Sequence, residues 1–319
     1  SLAFGPDIQH FIGNLDWIGL NGVTNAPNPD YAATIPHSAF MIFQGMFAVI
    51  TPALITGAFA ERMRFPAFVA FTLLWATFVY DPVAHWVWGV GGWLREMGVL
   101  DFAGGTVVHI ISGVSGLVIC LMIGKRKGYG TEAMRPHHLP MTVLGGGLLW
   151  FGWFGFNAGS ALAANEIAAN AFVVTHVSAA AATISWVIAE WKIHGKPTLL
   201  GAVSGGVAGL VSITPAAGFV TAPSAIAIGL LGGFICFFSV SLIKSKFGYD
   251  DALDAFGVHG VGGAWGALAT GLFASKAVNE AGADGLLYGN PAQFASQFVG
   301  VAVSCLFAVL MTILIMKSL

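Results

Sequence analysis

The sequence predicts an all-α membrane protein, a polytopic bundle of about nine helices that each cross the lipid bilayer. Only 9 % of its 319 residues are charged and 56 % are hydrophobic, whereas about a quarter of the residues in a soluble domain are charged. The apolar residues form runs near the roughly 20 residues that a helix needs to cross the hydrocarbon layer. Each run is continuously apolar, which favours helices over the alternating strands of a membrane barrel.

The chain divides into a polar beginning and nine apolar runs with short connections. Residues 1–36 are polar and contain no basic or cleavable leader, so we expect an extracytoplasmic segment in an N-terminally incomplete chain. Glycine, alanine and serine recur through the runs, which predicts close helix packing in a single transmembrane domain over residues 1–319. The predicted spans are residues 37–60, 65–88, 102–124, 140–163, 171–190, 198–213, 222–243, 256–273 and 294–316.

The basic residues predict the orientation of the bundle. If residues 1–36 lie outside, 11 of the 13 lysines and arginines fall in cytoplasmic segments, and only Arg95 and Lys276 lie outside. Cytoplasmic loops carry the excess of positive charge in membrane proteins. We therefore expect a cytoplasmic C-terminus. The net charge of −2 also leaves no basic surface for a nucleic-acid partner.

The three cysteines offer no redox or metal chemistry. Cys120, Cys236 and Cys305 each lie inside an apolar run. This placement predicts free thiols that pack as small apolar side chains, without a disulfide framework or a paired metal motif. We expect no metal and no cofactor, and separately we expect that the protein is not an enzyme.

Two histidines lie deep inside predicted spans, where ionisable side chains are costly and mark functional sites. His109 lies in the third span and His259 in the eighth. On a helix each imidazole shares a face with glycines and other small residues, so both rings should point into the bundle. Two neutral imidazoles can share one proton and leave their opposite nitrogens free toward a lumen. The alternative is two unrelated core histidines, each bonded to a backbone carbonyl.

The positions of the histidines favour the paired interpretation. Their helices are five spans apart and cross the membrane in opposite directions, and each begins just after an aspartate, Asp101 or Asp254. This pattern predicts two five-helix repeats of opposite orientation, a plan of transporters whose site lies near the midplane. Residues 140–273 would form the second repeat and residues 37–124 the end of the first. Because the first repeat then lacks two helices, we expect eleven spans in the native protein.

Four segments resemble the ammonium transporter family (Amt/Mep/Rh), in particular its bacterial Amt members. They are ITPALITGAFAERMRF at 50–65, DFAGGTVVHI at 101–110, WFGFNAGSALAANEIAANAF at 153–172 and DAFGVHGVGG at 254–263. The resemblance covers essentially the whole chain, without the family's first two spans. It implies that ammonium is recruited outside, loses a proton and crosses an apolar pore as ammonia. His109 and His259 would be the family's twin histidines.

The resemblance also assigns residues outside the twin histidines. Trp88 and Ser160 would recruit ammonium in an outer vestibule, with Phe43 nearby. An indole offers the cation a π face, and a hydroxyl offers an acceptor oxygen. Below this vestibule, Phe47 and Phe156 would form a gate.

Asp101 matches the family's aspartate beside the recruitment site. Since this residue stands at the outer end of a predicted helix, we expect its carboxylate to cap the helix, where negative charge is favoured. We place this structural role above a direct contact with ammonium.

The resemblance further implies a homotrimer in the plasma membrane, which would be a bacterial inner membrane. It also implies a cytoplasmic PII-type regulatory partner, which many members of the family have. Three other functions stay open here: a Rh-like gas channel, an ammonium sensor, and a redox protein with His109 and His259 as haem ligands. Trp88 favours the Amt side over a Rh-like channel. The small residues around both histidines argue against the wide slot that a bis-histidine haem needs.

Overall fold

A polar segment with two short hairpins, which the sequence predicts to be extracytoplasmic, precedes the helices. In the computed structural model, which describes residues 1–319, β1 (Asp7–Ile8) pairs antiparallel with β2 (Ile12–Gly13). The second hairpin pairs β3 (Pro27–Asn28) with β4 (Ala32–Pro36). The segment then packs on the first helix through Tyr31, whose ring stacks on Phe40 at 5.1 Å.

Nine helices follow in the predicted order, which confirms the all-α fold. Seven of them are long and apolar enough to cross a membrane, and two are not in that group: the helix Leu199–Ile213, which has 15 residues, and the helix over residues 256–273. The helices are α1 (His37–Phe59), α2 (residues 65–88), α3 (Gly105–Ile123), α4 (Leu139–Ala161), α5 (Glu166–His194), α6 (Leu199–Ile213), α7 (Ala222–Phe247), α8 (residues 256–273) and α9 (Pro291–Ser318).

The largest difference from the predicted bounds lies in α5, which is longer than the run 171–190 at both ends. Asn165 caps its first turn, because the side-chain oxygen accepts a hydrogen bond from the backbone N–H of Ala168 at 3.0 Å. Gly195 ends the helix with a φ of +80°. The prediction counted apolar residues only and therefore missed the polar turns.

Helix α3 lies at the centre of the bundle and packs against α1, α8 and α9. In the most apolar stretch of α3, 78 % of the residues are buried inside the bundle, whereas the corresponding share in α4 is 6 %. A second group, α5 with α6 and α7, packs beside it. The cysteines in these helices are free thiols, as predicted; Cys120 and Cys236 are buried and Cys305 is half-buried.

Glycines allow α3 and α8 to approach backbone to backbone. A Cβ atom on Gly113 would collide with the backbone of Gly260. A Cβ atom on Gly263 would lie 2.9 Å from the carbonyl oxygen of Gly105 and 2.9 Å from the Cβ of His109. The small residues predicted to share a face with the histidines therefore lie at the crossing of the two helices.

Both histidine-bearing helices begin with a π-helical turn, Gly105–Ile110 in α3 and Phe256–Gly260 in α8. The helices that precede them contain π turns as well, Ala76–Tyr80 in α2 and Ser239–Ile243 in α7. Such turns are rare and frequent at functional sites. Their matching positions are those that an inverted repeat requires, and the division into repeats stays a prediction.

A buried ion pair joins three connections at the predicted cytoplasmic end. Asp250, between α7 and α8, is 1 % exposed. Its carboxylate accepts hydrogen bonds from the Nη2 and backbone N–H of Arg126 at 2.8 and 2.7 Å. Arg62 donates through Nη2 to the Asp250 carbonyl oxygen at 2.7 Å. Burial alone would raise the pKa of this carboxyl, but the hydrogen bonds from Arg126 outweigh it and lower the pKa.

We expect Asp250→Asn to lower the free energy of unfolding at pH 7 by about 3 kcal/mol, because two largely buried arginines lose their counter-charge. A carboxyl whose pKa is lowered by folding stabilises the fold above its unfolded-state pKa. The advantage of the wild type should therefore persist at neutral pH and shrink below about pH 4. Thermal unfolding in detergent across this pH range measures both effects.

Asp16→Asn, at an exposed carboxylate of the first segment, is the control and should leave the unfolding curve unchanged. A loss of stability in Asp250→Asn that is equal at every pH would contradict an ionic origin.

Candidate functional site

The two membrane histidines meet where α3 crosses α8. The Nδ1 atoms of His109 and His259 lie 3.2 Å apart, and the ring centroids lie 5.2 Å apart with planes at 21°. One Nδ1 must donate and the other accept, so the two rings share one proton. This contact excludes the alternative of two separate histidines that each bond to a carbonyl.

The contact also bears on the haem alternative. Axial ligands stand on opposite faces of a macrocycle, whereas these two nitrogens are in hydrogen-bond contact at 3.2 Å. The backbone approach of Gly113 to Gly260 leaves no slot between the helices. A bis-histidine haem does not fit this crossing.

The opposite nitrogen of His109 has no partner within the protein. His109 is 1 % exposed, and its Nε2 makes no hydrogen bond, although about nine in ten buried polar atoms are paired. Depending on which histidine holds the shared proton, Nε2 is an acceptor or a donor. The crossing therefore presents one free hydrogen-bonding atom that suits a small polar solute.

A column of aromatic rings connects the outer side with the histidines. The ring centroids are separated by 5.5 Å from Trp88 to Phe47, 4.6 Å from Phe47 to Phe156 and 5.9 Å from Phe156 to His109. Phe47 comes from α1 and Phe156 from α4. The two predicted gate residues therefore touch each other and close the space between the outer side and His109.

A cavity of about 220 Å³ opens at the Trp88 end of this column, which is predicted to be the outer side. Trp88 and Ser160 both line it. The Ser160 hydroxyl donates to the carbonyl oxygen of Phe156 at 2.8 Å, which leaves its own oxygen free to accept. Sequence reasoning missed other residues of this wall, since residues 1–36 have no periodic pattern. The missed residues include Phe4, Asp30, Tyr31 and Arg95.

Phe43 lies outside this cavity, although the resemblance places it near Trp88. It lines a separate apolar groove between α1 and α4, together with Met46 and Gly155. Its ring meets Phe47 edge-on at 5.0 Å, and Phe156 of the column lines the same groove. The structure does not bring Phe43 together with Trp88 and Ser160, and its recruitment role stays a prediction.

Asp101 caps the start of α3 from outside the span. Its carboxylate oxygens accept four backbone hydrogen bonds of 2.7–3.1 Å, from the N–H groups of Gly104, Gly105, Thr106 and Val107. These bonds satisfy the donors that a helix start leaves unpaired. Residues 101–104 form this turn, with a φ of +111° at Gly104, and α3 therefore begins at Gly105 instead of the predicted 102.

The Asp101 turn also positions the vestibule. The backbone carbonyl oxygen of Asp101 accepts a hydrogen bond from the indole N–H of Trp88 at 2.8 Å. Burial raises the pKa of the Asp101 carboxyl, while the four backbone hydrogen bonds act in the opposite direction. A carboxylate has about four lone-pair positions, and the backbone uses them. This geometry favours the capping role over direct contact with a cation.

A third ring packs on His109 and was missed by sequence reasoning. Trp153 stacks on the imidazole at 5.3 Å with planes at 18°, and it is 3 % exposed. The only sequence signal for Trp153 is its place at the start of the segment 153–172. An aromatic residue in an apolar span is interpreted as a core residue when the sequence does not show which side chains it contacts.

Comparisons with known proteins agree with the resemblance. A sequence model of the Ammonium Transporter Family matches residues 1–319. An ammonium transporter of Bacillus subtilis is 58 % identical over 317 residues, which cover 99 % of this chain and 77 % of that protein. The solved structure of Saccharomyces cerevisiae Mep2 superimposes with a TM-score of 0.94 at 38 % identity and covers 100 % of this chain and 72 % of that chain. A solved "Sensor Amt Protein" gives 0.86 at 30 % identity, covering 99 % and 78 %.

We expect Asp101→Asn to lower the free energy of unfolding by about 2 kcal/mol, because one amide NH₂ would face backbone N–H donors that then stay unpaired. Thermal unfolding in detergent measures the loss. Asp30→Asn, at an exposed carboxylate of the same cavity, should leave stability unchanged. An unaltered unfolding midpoint in Asp101→Asn would show that the carboxylate does not cap α3.

Proposed function

Because this chain belongs to the Ammonium Transporter Family, we propose that it recruits ammonium in the outer vestibule, where ammonium loses one proton to water, and that it conducts ammonia past His109 and His259. The observation that carries this mechanism is the contact of the two imidazoles. Their Nδ1 atoms lie 3.2 Å apart, so they share one proton, and the buried Nε2 of His109 stays unpaired inside an apolar helix crossing. Such a site hydrogen-bonds a small neutral solute and holds a permanent cation poorly.

Selectivity follows from the cost of charge in an apolar path. Ammonium and potassium are similar in size, so a pore of fixed width cannot separate them. Below the vestibule the path is closed by the rings of Phe47 and Phe156, where an unpaired ion costs many kcal/mol. Ammonium can lose its charge with a proton and potassium cannot. The neutral molecule therefore passes and the metal ion is rejected.

Recruitment is proposed for the vestibule itself. Trp88 offers an aromatic face and Ser160 an acceptor oxygen, and both line the same cavity. Phe47 forms the floor of that cavity. Asp101 also lines this cavity, and its carbonyl oxygen fixes the Trp88 indole.

We further propose a homotrimer in the plasma membrane, with a cytoplasmic C-terminus and a PII-type regulatory partner. The distribution of basic residues supports the orientation, since 11 of 13 lie on one side. The family resemblance supports the assembly and the partner.

An ammonium sensor is the second candidate function. The likeness to a solved "Sensor Amt Protein", with a TM-score of 0.86, favours it. Ammonium pulses on proteoliposomes separate the two functions, because a transporter gives an ammonium-dependent current that protein-free liposomes lack, or changes the internal pH faster than ammonia does by crossing the lipid of protein-free liposomes. The absence of both signals would refute transport.

We expect Trp88→Leu to raise the half-saturating ammonium concentration about two- to thirtyfold, which corresponds to a cation–π contribution of about 0.5–2 kcal/mol. Initial uptake rates in proteoliposomes over a range of ammonium concentrations measure the change. Trp88→Phe keeps an aromatic face and should show a smaller increase. An unchanged concentration dependence in Trp88→Leu would place recruitment elsewhere.

We expect His109→Asp and His259→Asp to admit potassium, because a carboxylate holds a cation at the crossing where the imidazoles do not. Potassium flux and competition with ammonium are measured in the same liposomes. His109→Gln is the neutral control and should pass no potassium. Acidic variants that keep wild-type ammonium flux and full selectivity would contradict the twin-histidine mechanism.

A further inference from the structure

A hydrogen bond outside the pathway holds the ring that covers His109. We propose that Thr214 is a positioning residue for the twin histidines, acting through Trp153; this inference rests on the proposed function. The Trp153 indole N–H donates to the Thr214 Oγ1 at 2.9 Å. Thr214 stands at the end of α6, a helix that carries neither histidine.

The direction of this hydrogen bond is fixed by its surroundings. The Thr214 hydroxyl donates its only proton to the carbonyl oxygen of Leu210 at 2.7 Å. Its lone pairs are therefore left to accept, and an indole N–H can only donate. Thr214 is 0 % and Trp153 3 % exposed, so water does not substitute for either partner.

The indole in turn restrains the imidazole. His109 stacks on Trp153 at 5.3 Å with planes at 18° and on Phe156 at 5.9 Å with planes at 21°. The shared proton requires that Nδ1 of His109 keep facing Nδ1 of His259. A rotation of the His109 ring about its Cβ–Cγ bond carries Nδ1 away and sweeps the ring edge through the indole. A fixed indole therefore preserves the shared proton and the direction of the free Nε2.

Thr214→Val tests the hydroxyl with little change in shape. The valine leaves a buried indole N–H unpaired, which drives the indole to turn toward another acceptor. The stack on His109 then loosens. We expect the maximal ammonium uptake rate to fall about tenfold, since small misplacements of a reacting group cost one to two orders of magnitude.

Two readouts separate positioning from a general structural defect. The half-saturating ammonium concentration should stay within about twofold of wild type, because Trp88 and Ser160 lie in a different part of the pathway. Thr214→Ser restores the hydroxyl and should restore the maximal rate. Thr270→Val is the matched control, since Thr270 is equally buried but donates only to its own helix, to Gly266 O at 2.9 Å. It should keep the wild-type rate.

A double-variant cycle tests whether both residues act through the same bond. Trp153→Phe keeps a ring on His109 but loses the N–H, and it should lower the maximal rate about as much as Thr214→Val. The double variant should be no slower than the slower single variant, because coupled effects are not additive. If Thr214→Val does not reach the membrane, Trp153→Phe alone tests the proposal. A tenfold loss of the maximal rate supports it, and a wild-type rate contradicts it.

The proposal is overturned if Thr214→Val keeps the wild-type rate, if Thr214→Ser fails to rescue, if Thr270→Val loses rate equally, or if the two losses multiply. Wild-type liposomes without ammonium flux would instead refute the proposed function. Normal flux in both wild type and Thr214→Val would refute only the role of Thr214.

Discussion

The close approach of α3 and α8 is the constraint on which the rest of the site depends. Two imidazoles share a proton only when their helices meet within the reach of short side chains, and a Cβ atom on Gly113 or Gly263 would prevent that approach. Both histidines lie in π-helical turns, which alter the aim of the side chains at the point of contact. The polar chemistry at the midplane is thus set by residues that carry no functional group.

The residues at the two ends of the crossing helices fix where these helices begin and how they are connected. Asp101 fixes where α3 begins by satisfying four backbone donors, and the same turn holds Trp88. At the other end, Asp250 joins the connections after α1 and α3 to the one before α8. These two carboxylates therefore lie at opposite ends of the helices, where they are paired, and the helix crossing keeps the buried Nε2 of His109 unpaired. This distribution suits a path that admits neutral molecules.

The fold was largely predictable, because every helix that crosses the hydrocarbon layer needs a similar length and an apolar composition. The pairing of His109 with His259 was predictable for a related reason, since two costly side chains at equivalent places imply a shared purpose. The contribution of Trp153 was not predictable, because an indole in an apolar span does not reveal which ring it covers. The place of Phe43 in a groove outside the vestibule could not be predicted, because Phe47, one turn further along α1, lines both spaces and the sequence does not show where one ends. The extra turns of α5 depend on Asn165 and Gly195, which a count of apolar residues ignores.

The outer wall of the vestibule has a different construction from the path beneath it. The segment before the helices contributes the exposed Asp30 and the half-buried Tyr31 to that wall, whereas interlocked helices form the histidine crossing. Surface loops tolerate substitution and insertion, and packed glycine contacts do not. Under the proposed function, the entrance can therefore diverge between related proteins and adjust how strongly each captures ammonium, while the chemistry at the histidine crossing stays the same. Affinity and discrimination can evolve separately in this architecture, because they are encoded in parts of the chain with different tolerance to change.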